Sequence, residues 1–83
     1  KMYEDFGLGF SKLDREMIKT IETFFKCGLN ISDASKELYV HRNTLIYRLD
    51  KIQKCTSYDI RNFNEAVIFK IAFLIWRGKE INK

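Results

Sequence analysis

The stretch NISDASKELYVHRNTLIYRLDKI, residues 30–52, decides the fold of this chain. Asn30 can act as an N-cap, with Asp33 three residues later, and small or apolar residues follow at helical spacing. The second half begins at His41, and its apolar residues are Leu45, Leu49 and Ile52. Because these recur at i, i+4 and i+7, they share one face of a helix and leave the opposite face free for a partner. The stretch therefore predicts two helices joined by a tight turn.

Length and composition indicate one small helical domain. The chain has 83 residues, of which 46% are apolar and 31% charged, with four glycines and no proline. Such a chain fits a single compact core, and the shortage of turn residues disfavours a β-sheet architecture. We predict an all-α fold, a small bundle of about four helices that contains a helix-turn-helix over about residues 30–54. Residues 1–10 are predicted to form an N-terminal arm or linker, and residues 11–83 the domain.

A first helix is predicted before the helix-turn-helix. Either Ser11 and Asp14 form a capping box, or Asp14 alone caps the helix. Gly28 is expected to end it in the left-handed conformation. The apolar residues at helical spacing between them are Leu13, Met17, Ile18, Ile21, Phe24 and Phe25. This helix therefore has one face suited to a core.

A last helix follows a predicted connector at residues 55–61. Asn62 with Glu65 provides an N-cap and a capping box, and the helix is expected to end near Gly78. Its residues 66–76 are apolar almost all round, apart from one lysine. Two interpretations fit this pattern: a central core helix wrapped by the others, or a surface for dimerisation or for another domain.

Positive charge concentrates on the second helix of the helix-turn-helix. Residues 1–30 carry five basic and five acidic side chains, whereas residues 41–54 carry four basic side chains against Asp50 alone. The four basic residues are Arg42, Arg48, Lys51 and Lys54. By itself this excess would suit a solvated helix face. Because it coincides with the two-helix pattern, it favours a recognition helix over about 41–54 that meets the phosphates of DNA.

The first turns of this helix supply the candidates for reading bases. Arg42 can fork onto guanine, Asn43 onto adenine, and Thr44 can contact a base methyl group or a phosphate. One turn later, Ile46 is limited to apolar contact, such as a thymine methyl, and Tyr47 can donate its hydroxyl to a phosphate. Arg42 and Asn43 are the strongest candidates for specificity.

Four further candidates lie at the edges of this site. Arg48 is near the inward side of its helix, where it can bind either a phosphate or acidic groups of a neighbouring helix. Lys51 is expected to anchor the DNA backbone. Ser32 can hold a phosphate near the start of the first helix of the motif, or act in capping. His41 is expected to pack at the turn or cap the recognition helix, with phosphate contact as a further option.

Other functional classes find no support in the sequence. There is no Ser-His-Asp order and no glycine-rich phosphate loop, so we predict that the chain is not an enzyme. With one histidine, and with Cys27 and Cys55 outside any CxxC motif, no metal site or cofactor is expected. Residues 66–76 are too few to cross a bilayer, and no secretory signal precedes them. These observations predict a cytoplasmic protein with free thiols.

The segments VHRNTL (40–45) and YRL (47–49), together with NIS (30–32), resemble the C-terminal helix-turn-helix of PucR- and CdaR-type bacterial regulators of purine and carbohydrate-diacid catabolism. A weaker likeness covers nearly the whole chain. The resemblance implies that the polar positions of the motif are His41, Arg42, Asn43, Thr44, Tyr47 and Arg48. One departure is Ile46, which stands where the family often has arginine and so removes one expected cationic contact.

The resemblance also implies a role and partners. The expected function is sequence-specific binding of double-stranded DNA in the major groove, as the output domain of a transcriptional regulator. The full-length regulator is expected to be a homodimer, and a small-molecule effector to bind only an N-terminal region outside this sequence. Because the chain opens at Lys1, we expect it to be a piece of a larger protein. The alternative function is a helical module for protein–protein interaction or dimerisation.

Overall fold

The fold of the described part of the chain consists of helices only. The computed structural model describes residues 10–82, with side chains through residue 78. Four helices lie wholly within the described residues; in chain order they are α1 (Arg15–Lys26), α2 (Ile31–Leu38), α3 (Arg42–Thr56) and α4 (Phe63–Asn82). This confirms the predicted all-α bundle. Apart from Phe10, the predicted N-terminal arm lies outside the described residues.

Local capping explains where α1 begins and ends. The Asp14 side chain accepts a hydrogen bond from the backbone N–H of Met17 at 2.8 Å, so Asp14 alone caps the helix. At the other end Gly28 has a φ of 67°, the left-handed conformation predicted for it. The N–H of Leu29 then donates to the carbonyl of Phe24 at 2.9 Å, which closes a Schellman motif.

The turn of the helix-turn-helix is short and tightly hydrogen bonded. Asn30 caps α2 as predicted, because its side-chain oxygen accepts from the N–H of Asp33 at 2.9 Å. Tyr39 ends α2 with φ 57° and ψ 41°, and its side chain is 95% exposed. The N–H of Val40 donates back to the carbonyl of Ser35 at 3.0 Å. The chain therefore passes from α2 to α3 within three residues.

The helix α3 is longer than the sequence predicts. Cys55 and Thr56 belong to it, so the predicted connector over residues 55–61 is wrong for its first two residues. The physical reason is that the side chain of Thr56 is buried and its hydroxyl donates to the carbonyl of Ile52 at 2.8 Å. The helix ends where Ser57 adopts a φ of 68°.

The start of α4 confirms its predicted N-cap but corrects the capping box. The side chain of Asn62 accepts from the N–H of Glu65 at 3.1 Å. The carboxylate of Glu65, however, accepts from the N–H of Asp59 at 2.9 Å and so fastens the connector to the helix. The helix continues to Asn82, past the predicted end near Gly78, because a single glycine costs a helix only about 1 kcal/mol.

One aromatic-rich core holds the helices together. The buried apolar residues are Phe10, Leu13, Met17, Ile21, Phe24, Ala34, Leu45, Leu49, Ile52, Ile60, Ala66, Phe69 and Phe73. The ring of Phe10 packs edge-on against Phe69 and Phe73, with centroids 5.3 and 5.8 Å away. Such pairs stabilise a core beyond their buried area. They fix Phe10, which lies N-terminal to α1, against α4.

The last helix has a buried face and an exposed apolar face. Ala66, Phe69 and Phe73 are at most 4% exposed. On the other side, five aliphatic residues are 44–58% exposed: Val67, Ile68, Ile71, Leu74 and Ile75. The interpretation of α4 as a helix wrapped by the others is therefore wrong. No helix within residues 10–82 is long and apolar enough to span a bilayer.

The left-handed conformation of Ser57 leads to a prediction about stability. Ser57 is exposed, and glycine adopts a positive φ without the steric penalty of a Cβ atom. Replacing Ser57 with glycine is expected to raise the free energy of unfolding by about 0.5–1 kcal/mol, measured by urea titration. Replacing it with alanine should give no such gain. Equal stability of the two variants would show that this residue carries no backbone strain.

Candidate nucleic-acid interface

The recognition helix α3 begins with a histidine cap. His41 has an extended backbone, and its Nδ1 accepts a hydrogen bond from the N–H of Asn43 at 3.2 Å. The predicted capping role of His41 is thus confirmed. This bond ties the first turn of α3 to the turn before it, so it fixes the backbone from which Arg42, Asn43 and Thr44 project.

The helix α3 has one buried face and one exposed face, as its sequence predicts. Leu45, Leu49 and Ile52 are at most 1% exposed and anchor the helix in the core. The exposed candidates are Arg42, Asn43, Thr44, Tyr47 and Lys51, and Ile46 lies half-buried at their edge. The structure therefore brings most of the predicted DNA contacts to one side of a helix whose opposite side is fixed. Ser32 lies elsewhere, in the exposed first turn of α2.

Positive charge on this face is available to a ligand. Within the described part of the chain, Arg42, Lys51 and Lys54 form no ion pair. All three are exposed. Their charges therefore remain free for phosphate groups, which attract Lys and Arg independently of base sequence.

The exception is Arg48, which contacts α1 instead of solvent. Its Nη2 lies 3.0 Å from a carboxylate oxygen of Glu16, and its Nη1 donates to the hydroxyl of Thr20 at 3.4 Å. Only 16% of its side chain is exposed, against 66% for Glu16. This contact with an acidic group of a neighbouring helix is one of the two alternatives left open by the sequence, and the phosphate contact remains a prediction. Because the Glu16 carboxylate is largely exposed to solvent, the pair contributes only about 0.2–1 kcal/mol, so its main effect is to orient α3 on α1.

The only acidic residue of α3 is neutralised by the connector. Arg61 lies 2.9 Å from a carboxylate oxygen of Asp50, and it also donates to Gln53 at 3.1 Å and to Asp59 at 2.7 Å. A carboxylate on a recognition helix repels phosphate, and a paired guanidinium reduces that repulsion. Arg61 therefore supports the interface without belonging to its exposed face.

The pKa values in this cluster reflect the same contacts. Burial would raise the pKa of Asp59, but the hydrogen bonds and charge of Arg61 outweigh it, so this pKa lies below its usual value. The hydrogen bond to Asp59 raises the pKa of Arg61 despite the opposing effect of burial. Both shifts favour the charged pair.

The depressed pKa of Asp59 predicts how stability changes with pH. The pair should contribute fully above the unfolded-state pKa of about 3.9, and its contribution should disappear as pH falls through the lower folded-state pKa. Asp59→Asn is therefore expected to lower the free energy of unfolding at neutral pH and to match wild type in acid. Urea titrations across this range measure the difference. A constant difference at all pH values would contradict the prediction.

Sequence reasoning missed Arg61, Glu16 and Thr20. Spacing reveals partners three or four residues apart on one helix, whereas Arg48 and Glu16 are 32 positions apart. The partners of Arg61 lie on both sides of a loop whose path depends on tertiary packing. No local signal in the sequence marks these contacts.

The described residues show no grouping suited to other chemistry. Between residues 10 and 78, no three side chains of the His, Cys, Asp and Glu types gather where they could hold a metal ion. Cys27 and Cys55 are both free and half-buried.

Several proteins with similar sequences or structures are named as transcriptional regulators. The family described as the PucR C-terminal helix-turn-helix domain matches residues 17–75. The carbohydrate diacid regulator of Escherichia coli is 35% identical over 54 residues, which cover 65% of this chain and 14% of that protein. The proline-responsive transcriptional activator PutR of Bacillus subtilis is 35% identical over 64 residues, covering 77% and 16%.

A solved structure shows the same fold. The regulator of polyketide synthase expression from Bifidobacterium adolescentis superimposes with a TM-score of 0.73 at 33% identity, over 80% of this chain and 26% of that one. The chain thus spans less than a fifth of the two curated relatives and about a quarter of this structural relative.

Proposed function

The chain belongs to the family of PucR C-terminal helix-turn-helix domains, the DNA-binding output domains of bacterial transcriptional regulators, and we propose that it reads DNA sequence with α3 in the major groove. This proposal rests on one observation, that α3 has a buried face on one side and an exposed polar face on the other. Three fully buried residues fix one face, while the other presents a capped first turn with exposed polar side chains.

Each candidate has a role that follows from its position and chemistry. Arg42 and Asn43 contact base edges, because they lie in the exposed first turn and can each form two parallel hydrogen bonds with a purine. Thr44 contacts a base methyl or a phosphate. Ile46, half-buried, is limited to a thymine methyl, and the exposed Tyr47 donates to a phosphate.

The remaining candidates position the domain on the DNA backbone. Lys51 is exposed and unpaired within the described residues, so it anchors a phosphate. Ser32 lies in the first turn of α2, where free backbone N–H groups also favour a phosphate. His41 acts mainly through its cap. Arg48 would reach a phosphate only by leaving Glu16, so its role is chiefly to orient α3.

The wider context of the domain forms part of the same proposal. We assign residues 11–83 to the DNA-binding domain and residues 1–10 to an arm that connects it to the rest of the regulator and whose last residue, Phe10, is buried in the core of the domain. The full regulator acts as a homodimer in the cytoplasm, and an N-terminal region outside this sequence binds a small-molecule effector. The domain carries out no catalysis and needs no cofactor.

Selection from random duplexes tests the proposal. The chain is used to enrich DNA from a random pool, and the enriched duplex is titrated against a scrambled control at fixed salt, with wild type and Arg42→Ala side by side. We expect one enriched motif whose preference over the scrambled duplex falls in the variant. Binding without enrichment would reduce the function to general affinity for DNA. A folded chain that binds no duplex would contradict the proposal.

The alternative, a helical protein-interaction module, is favoured by one observation. The exposed aliphatic residues of α4 form a surface that DNA binding does not use. That surface lies on a different helix from the DNA contacts, so the two functions are compatible. A cognate preference in the duplex titration would establish DNA binding whatever α4 contacts.

A further inference from the structure

The exposed aliphatic residues of α4 form a continuous strip, which we call the outer seam. Its members are Val67, Ile68, Ile71, Leu74 and Ile75, each 44–58% exposed. Val67, Ile71 and Leu74 are spaced by four and then three residues, the alternation that keeps side chains on one side of a helix facing a partner helix. A contiguous apolar strip on a small domain is typical of an interaction surface.

The charged residues that flank the seam are held away from it by α1. Lys70 lies over the ring of Phe25, with its Nζ 5.5 Å from the centroid. Arg77 forms an ion pair with Glu22 at 3.0 Å and stacks on Phe73 at 5.7 Å. Within the described residues, the centre of the seam therefore carries no charge. The centre of such a surface suits an apolar partner better than nucleic acid or an acidic peptide.

A groove beside the seam can accept side chains from a packed helix. It lies between α1 and α4 and has a volume of about 450 Å³. Its apolar lining residues are Phe25, Phe73 and Leu74, and its charged ones are Glu22, Lys26, Lys70 and Arg77. Helices pack by inserting the side chains of one into the spaces on the other. Leu74 belongs to both seam and groove, so a helix seated on the seam would also meet the groove.

We propose that the outer seam pairs with the seam of a second copy of this chain across a twofold axis. An uncharged aliphatic strip is complementary to itself, which is what a twofold contact between identical surfaces requires. The pairing also gives the proposed DNA function two recognition helices, as helix-turn-helix proteins need for two half-sites. The pairing itself does not depend on the proposed DNA binding. Only the experiment with one-motif and two-motif duplexes does.

The size of the seam sets the strength of the pairing. Five aliphatic side chains that are each about half exposed can bury on the order of 500 Å² per copy, whereas a stable interface buries about 800 Å² per partner. The pair should therefore be weak in free solution and form chiefly when DNA brings two copies together. The expected consequence is cooperative binding to duplexes with two half-sites.

The test compares duplexes with one and with two copies of the selected motif, centred about one helical turn apart. For wild type, a bound first copy is expected to tighten binding of the second by about 5–150-fold. Ile71→Lys should abolish this cooperativity and leave affinity for the single motif unchanged. Independent binding of two wild-type copies at every spacing within one to two turns would overturn the proposal and leave the proposed DNA function intact.

A charge-pair rescue shows whether Ile71 acts by direct contact. A twofold axis through the middle of the seam places the two copies of Ile71 together, so Ile71→Lys mixed with Ile71→Glu should regain association that neither variant shows alone. Sedimentation equilibrium at high protein concentration measures this without DNA, so it remains decisive if the chain binds no duplex. Circular dichroism verifies that the variants are folded. If the Ile71 variants unfold, Ile75→Lys mixed with Ile75→Glu replaces them in the same experiment. Wild type that stays monomeric at every concentration, and on DNA, would overturn the proposal and point to another occupant of the seam.

Discussion

Replacing Asn43 with alanine is expected to reduce the preference for the selected duplex over a scrambled one by about 1–3 kcal/mol, which is about 5–150-fold. Asn43 is exposed in the first turn of α3, and the His41 cap holds its backbone N–H in place. Its amide can donate to and accept from the edge of an adenine, and alanine can do neither. The measurement is a pair of titrations, cognate and scrambled, at the same salt concentration.

Lys51→Ala provides the matched control for this prediction. Lys51 is exposed on the same helix, but a lysine at a phosphate reads charge and not sequence. The variant should bind cognate and scrambled duplexes more weakly by the same factor, and its salt dependence should decrease by about one unit of slope. If Asn43→Ala behaved like Lys51→Ala, Asn43 would be a backbone contact, and the proposed base readout would be wrong at this position.

The parts of this fold that could be predicted from sequence are those set by neighbouring residues. Asn30 and Asn62 cap their helices as predicted, because an N-cap needs only a short polar side chain and the N–H groups that follow it. The buried face of α3 was predictable for the same reason, since its spacing is a property of one helix. The DNA-contact residues chosen from that spacing remain predictions.

Features that depend on packing between distant segments could not be predicted. The end of α3 depends on the burial of Thr56, which favours two further helical residues over the expected connector. The Arg48–Glu16 pair depends on how α3 crosses α1. For α4, an apolar residue at nearly every position hides which face is buried, and only the contacts of Phe69 and Phe73 decide it.

Phe69→Ala is expected to lower the free energy of unfolding by about 3–5 kcal/mol, a larger change than those expected at Ser57 and Asp59. Phe69 is completely buried, and its ring lies 5.3 Å from that of Phe10 and 5.7 Å from that of Phe73. Removing it leaves a cavity where α4 meets Phe10. A domain of this length is stabilised by about 4–12 kcal/mol in total, so the variant should lose from about a quarter of its stability to all of it.

Ile71→Ala is the control for Phe69→Ala, because it shortens an aliphatic side chain of the same helix on its exposed face. At low protein concentration its free energy of unfolding should stay within about 0.5 kcal/mol of wild type. Urea unfolding followed by circular dichroism compares the two. Equal losses would show that α4 is fixed by helix propensity and not by its aromatic contacts.

The effects of Phe69→Ala and Asn43→Ala can be told apart by how they respond to DNA. Phe69→Ala weakens binding only by depopulating the folded domain, so excess cognate duplex or cooling toward the temperature of maximum stability should restore its binding and preserve its preference for the cognate sequence. Asn43→Ala leaves the core intact, so its lost preference should persist under every condition in which the chain is folded. If excess duplex restored the preference of Asn43→Ala as well, the role of Asn43 would lie in folding and the base contact would have to be assigned elsewhere on α3.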